Sequence, residues 1–187
     1  MKKIITSILF LVTLVSYSQD NIVPLEERNL HSPFETPKIY YKDVNGILDK
    51  FIGTWRYQDN PTNPTKIFEI TFYKKEHSDY SSSSFNDELV SRFSYTSNGT
   101  VIYDTYLGDY EGHISGSGLM SNDKMDLHYS EPIIDGTTVG QNPNSRIEIE
   151  FQMVNGLPTL SWYNGCELDQ NHNSPFRIPL LMTLNKI

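Results

Sequence analysis

Between Asp43 and Tyr57 the spacing of apolar residues changes period. Ile47, Leu48, Phe51 and Ile52 form the stripe of a short helix packed on a larger body, and Gly53 ends it. Trp55 and Tyr57 then alternate with polar neighbours, so a strand begins. A short helix running through Gly-Thr-Trp into a first strand predicts a lid across one end of a β-barrel.

The chain beyond this point reads as strands separated by turn signals. Lys66–Lys75 places Phe68, Ile70 and Phe72 on one face and Ile67, Thr71 and Tyr73 on the other. Glu88–Tyr95 alternates in the same way, and Asn98-Gly99, whose turn needs positive φ twice, folds Val101–Tyr106 back on it. Gly112–Met120 and Lys124–Tyr129 make a second hairpin, with Gly112, Gly116 and Gly118 on one face where a barrel can bend sharply. In the clearest strand Ile147, Ile149, Phe151 and Met153 alternate with Arg146, Glu148, Glu150 and Gln152, and Asn155-Gly156 turns it into Leu157–Tyr163. Arg177–Leu184 is the last strand, while Asp79–Asp87, Ser130–Asn144 and Asn164–Ser174 read as loops. No fixed period repeats, and open antiparallel edges favour closure. The expected fold is mostly β: an antiparallel up-and-down barrel of about 8–10 strands with one short N-terminal helix.

The opening MKKIITSILFLVTLVSYSQD has Lys2 and Lys3, an apolar run from Ile4 to Val15, and small Ser16 and Ser18. This is the pattern of a signal peptide over residues 1–18, which predicts export to the periplasm or beyond the cell. The run is about 12 residues, short of the roughly 20 needed to cross a bilayer, so no transmembrane segment is expected. Residues 19–42 carry Pro24, Pro33 and Pro37 among scattered apolar anchors and read as an extended strap, leaving residues 43–187 as one barrel domain. Fifteen basic against 23 acidic side chains give a net charge of −8, and loss of Lys2 and Lys3 with the leader makes it −10. Such a surface repels phosphate backbones, so no nucleic-acid partner is expected. Cys166 is the one cysteine, so burial rather than an internal disulfide must hold the fold.

Gly53-Thr54-Trp55, with a short helix before it and up-and-down hairpins after it in a chain with an export signal, resembles the lipocalin-like (calycin) barrels. It is most similar to small secreted bacterial proteins of that kind with no assigned function. The resemblance implies that Trp55 packs across the closed end of the barrel, with Arg177 as its partner from near the end of the chain.

Candidate chemistry is sparse. His31, His77, His113, His128 and His172 show no spacing that sets a pair on one element for a metal. Glu148 and Glu150 share the solvated face of their strand, and the serines around Gly116 do not form Gly-x-Ser-x-Gly. Cys166 has no basic neighbour in sequence to lower its pKa. No catalytic residue, metal or cofactor is assigned, and the expectation is a protein that is not an enzyme.

Aromatic content is the stronger signal, with 12 tyrosines, 9 phenylalanines and 2 tryptophans. Tyr95, Tyr103, Tyr129 and Trp162 fall on strand faces expected to point inward, where they would line a pocket for a small apolar or amphipathic ligand. The alternative is a barrel filled by its own side chains that contacts another envelope or extracellular protein through its three long loops. A solid interior would decide against a ligand inside the barrel.

Overall fold

A computed structural model gives the protein's structure and describes residues 21–31, 38–81, 84–107, 113–132, 143–166 and 174–187. The expected leader, Pro33 and Pro37 of the strap, Gly112, His172 and most of the two later loops lie outside the described residues. The strands are β1 (Asn21–Pro24), β2 (Ile39–Lys42), β3 (Gly53–Gln58), β4 (Lys66–Ser81), β5 (Ser84–Ser97), β6 (Thr100–Asp104), β7 (Ile114–Ser121), β8 (Lys124–Ser130), β9 (Asn144–Val154), β10 (Leu157–Asn164) and β11 (Leu181–Lys186). Eight of them, β3, β4, β5, β7, β8, β9, β10 and β11, close into an antiparallel barrel, because β5 meets β7 and β11 meets β3. Ring neighbours are chain neighbours except that β6 folds back on β5 as a flap.

Both closures are short. β5 and β7 pair only at Leu89 with Gly116 and Val90 with Ser115, and β11 and β3 only at Asn185 with Arg56 and Lys186 with Trp55. The ring is therefore a three-stranded sheet, β3–β5, and a five-stranded sheet, β7–β11, joined along two narrow seams. Glycine permits the sharp course of β7: a Cβ on Gly118 would lie 2.7 Å from the main-chain oxygen of Asp126.

Beyond the seam, other elements occupy the rest of the β5 edge. β2 pairs in parallel with Ser84–Asn86, and β6 takes Ser94–Ser97. At the tip of the β5–β6 hairpin both Asn98 and Gly99 have positive φ, as the sequence requires, and so do Asn155 and Gly156 between β9 and β10.

Four elements differ from the sequence reading. The strap, expected to be extended, winds into a 3-10 helix at Leu25–Leu30 between β1 and β2. The helix after Asp43 is a single 3-10 turn, Ile47–Lys50, whose first N–H groups are held by the Asp43 carboxylate at 2.7 Å from Ile47 and 3.1 Å from Leu48. The polar stretch Asp79–Asp87 is mostly strand rather than loop. Register shifts at Lys75/Ser78 and Asp79/Ser81 absorb its extra residues, with His77 at φ +53°. β2 supplies main-chain partners there, which side-chain polarity does not reveal. The final strand starts at Leu181, not Arg177, since Pro179 has no N–H to give a ladder.

The strap is fastened by a buried polar network. Asp87 accepts hydrogen bonds from Tyr40 Oη at 2.5 Å, the His77 N–H at 3.1 Å and the Asp43 N–H at 3.0 Å. Asp43 in turn pairs with Lys74 at 2.9 Å. Burial, and then the bond to Asp87, push the Tyr40 phenol pKa up. Further along the strap, Arg28 Nη1 donates to Ser117 Oγ at 2.8 Å, bracing β7 just past the β5–β7 seam.

Replacing Asp87 with Ala strands the buried Tyr40 hydroxyl and Asp43 N–H, each worth about 1–3 kcal/mol, together with the part-buried His77 N–H. The Asp87→Ala protein should lose about 3 kcal/mol or more in urea unfolding. A loss below about 1 kcal/mol would show that the network does not anchor the strap.

Candidate functional site

The four aromatic residues expected to line a pocket all point into the barrel: Tyr95 from β5, Tyr103 from β6, Tyr129 from β8 and Trp162 from β10 are each at most 5% exposed. Phe68 and Phe93, 5.5 Å apart, join them. The Phe93 ring lies 6.3 Å from Tyr103 and 6.2 Å from Tyr129, and the Phe68 ring lies 5.3 Å from Trp162. These are edge-on contacts of a close-packed core. Around these residues the barrel is filled by its own rings, and they are not the walls of an open chamber.

At the end of the barrel where β8 finishes, this aromatic packing meets a buried carboxylate. Glu131 is 4% exposed and accepts from Tyr103 Oη at 2.6 Å and from the Arg177 N–H at 2.8 Å. Burial, followed by the bond to Glu131, raises the pKa of Tyr103. Burial also raises that of Tyr129, whose hydroxyl is enclosed with no hydrogen-bond partner among the described residues, and the Glu131 charge adds to the effect. Sequence reasoning missed Glu131 because a single acid just past a strand, inside a presumed loop, looks like any solvated carboxylate.

Trp55 lies at the opposite end, fully buried, its Nε1 donating to Phe51 O at 2.8 Å and its ring edge-on to Phe151. The cation over that ring is Lys186, with Nζ 5.1 Å from the centroid. Arg177, expected as the partner of Trp55, is instead exposed and sits at the Glu131 end. The structure therefore does not bring these two residues together, because the strand begins four residues after Arg177 and only its last residues reach Trp55.

One face of the interior does reach solvent. Beyond Asn185 the β11–β3 pairing stops, and a groove of about 520 Å³ opens there, lined by Tyr57, Gln58, Trp162, Leu181, Met182 and Thr183 among others. None of its lining residues among those described is charged. Trp162 is both the floor of this groove and a core residue against Phe68, and its enclosed Nε1 has no hydrogen-bond partner among the described residues. Of the four aromatic residues singled out in the sequence, Trp162 alone lines it.

A second depression, of about 320 Å³, lies between the strap and β8 and is charged, with Arg28, Glu88, Asp126, His128 and Arg146 around Ser115–Gly118. Two of its cations are engaged within the fold, Arg146 with Asp126 at 2.5 Å and Arg28 with Ser117.

Among known proteins, one family model matches residues 1–156, described as a family of unknown function (DUF6705). No curated protein and no solved structure matches the chain.

The two inner tyrosines should separate in mutagenesis. Tyr103→Phe removes a partner of buried Glu131 and should cost about 1–2 kcal/mol, whereas Tyr129→Phe deletes an unpartnered hydroxyl and should be neutral or slightly stabilising. With pKa values raised in the folded state, both phenols stay protonated there after those of the unfolded chain ionise near pH 10. The folded state then binds more protons than the unfolded, so stability falls as pH rises above about 10. Urea midpoints between about pH 8 and 11 should show this decline, shallower in the double Phe variant; identical slopes would contradict it.

Proposed function

Because the chain belongs to this family of unknown function, no relative lends it an activity, and we infer from geometry that it is an exported binding protein whose site is the groove at the β11–β3 seam. The observation that carries this reading is the groove itself, which opens where the β11–β3 ladder stops, has Trp162 at its floor and holds no charged residue among its described lining. The ligand is accordingly uncharged and amphipathic, meeting Tyr57, Gln58 and Thr183 as well as Trp162 and Met182. It lies against the wall of the barrel, since the packing around Phe68 and Phe93 leaves the interior to side chains. Binding, not turnover, is proposed.

Export rests on Lys2, Lys3 and the apolar run Ile4–Val15 ahead of Ser16 and Ser18. The mass of the protein recovered from outside the cytoplasm should correspond to cleavage after residue 18 or 19.

Trp162 reports occupancy directly. Trp55, the other tryptophan, is buried at the far end with its N–H satisfied, so a neutral apolar probe should shift or quench emission in the wild type and not in Trp162→Phe. Native mass spectrometry of protein purified gently from its host should carry extra non-covalent mass. A bare protein whose Trp162 emission ignores every neutral probe would overturn the reading.

A further inference from the structure

The groove differs from an ordinary apolar hollow in what its rims expose. In β11, Asn185 pairs with Arg56 and the Ile187 N–H donates to Thr54 O, so the odd-numbered residues turn their main-chain groups toward β3. The Asn164 N–H donates to Leu180 O, which sets the even-numbered residues on the β10 side. Leu181 and Thr183 therefore present main-chain N–H and C=O groups to the seam where β3 no longer pairs with them. On the facing rim Gln58, in step with Arg56, directs its own main chain the same way. None of the three has a main-chain partner across the seam among the described residues.

Exposed strand edges are usually blunted by charge, proline or a bulge. Leu181-Met182-Thr183 carries none of these. Beneath the edges, Trp162 and Met182 are buried and face inward, while Leu181 and Thr183 stand outward beside Tyr163. A slit with open edges on its rims and an apolar floor fits one kind of molecule well, an extended chain. Its main chain would pair with the rims, and its alternate side chains would enter the barrel wall.

We propose that the occupant of this groove is an extended, uncharged peptide segment of a partner protein, added to the edge of β11 as a further strand with every second side chain against Trp162. This rests on the groove being the binding site, and it names the ligand class. No described lining residue bears a charge, so recognition by this chain of net charge −8 runs through main-chain pairing and alternation, not through ion pairs.

The test titrates the mature protein with a blocked, neutral hexapeptide of alternating valine and serine, with the same peptide N-methylated at alternate residues, and with a neutral aromatic fluorophore. Trp162 emission and amide exchange at Leu181 and Thr183 are read. The unmodified peptide should bind and slow both amides, and N-methylation should weaken it roughly tenfold or more, as loss of about two hydrogen bonds implies. Equal affinity of the two peptides overturns main-chain pairing. If the fluorophore binds and neither peptide does, the groove stands as a binding site and the peptide assignment falls. If nothing perturbs Trp162, both fall. Concentration-dependent dimerisation that Leu181→Asp abolishes would assign the groove to a second copy and overturn the peptide.

Discussion

Every main-chain group along an edge of a strand must find a partner or meet water, and in this protein that demand is concentrated on β5. Its 14 residues are covered on one side by β4, but β7, which closes the barrel, reaches only Leu89 and Val90 on the other. The remainder would be two open edges in the wall. The strap fills one through β2, and the chain doubles back as β6 to fill the other. The amino-terminal segment is therefore a structural part of the barrel wall, and this gives a reason for the three-donor arrangement at Asp87 that fixes it there.

The same accounting explains where the barrel is solid and where it opens. Phe68 and Phe93 take up the interior with the ring contacts that converge on them, and the 3-10 turn with Phe51 and Trp55 seals one end. At the second seam, no extra strand among the described residues performs the service that β2 and β6 perform for β5. The β11 edge past Asn185 stays unpaired among the described residues, and the core side chain behind it, Trp162, becomes the floor of a groove.

Much of this architecture is written in local pattern. Period-2 alternation in Arg146–Met153 and the two Asn-Gly turns identify β9 and both tight hairpins, and the closed barrel follows from a count of such strands. The inward direction of Tyr95, Tyr103, Tyr129 and Trp162 is legible for the same reason. What lies beyond the sequence is non-local. Asp79–Asp87 reads as a loop because its side chains are polar, yet its main chain is paired by β2 and β4. The length of a seam depends on how far two strands distant in sequence run side by side, which no periodicity encodes. Trp162 as groove floor, Lys186 rather than Arg177 over Trp55, and buried Glu131 all follow from such meetings.

The two narrow seams also set an order of events in folding. Each sheet is a succession of hairpins, whose contacts are short in sequence and quick to form. Sealing the ring demands that Lys186 come to lie beside Trp55, a contact spanning most of the chain, for two residue pairs of ladder. That step repays its loop-closure entropy only once both meanders have shaped the surfaces that meet. The ring is thus two hairpin meanders closed by its least local contact, and it is that closure which brings Lys186 over the face of Trp55.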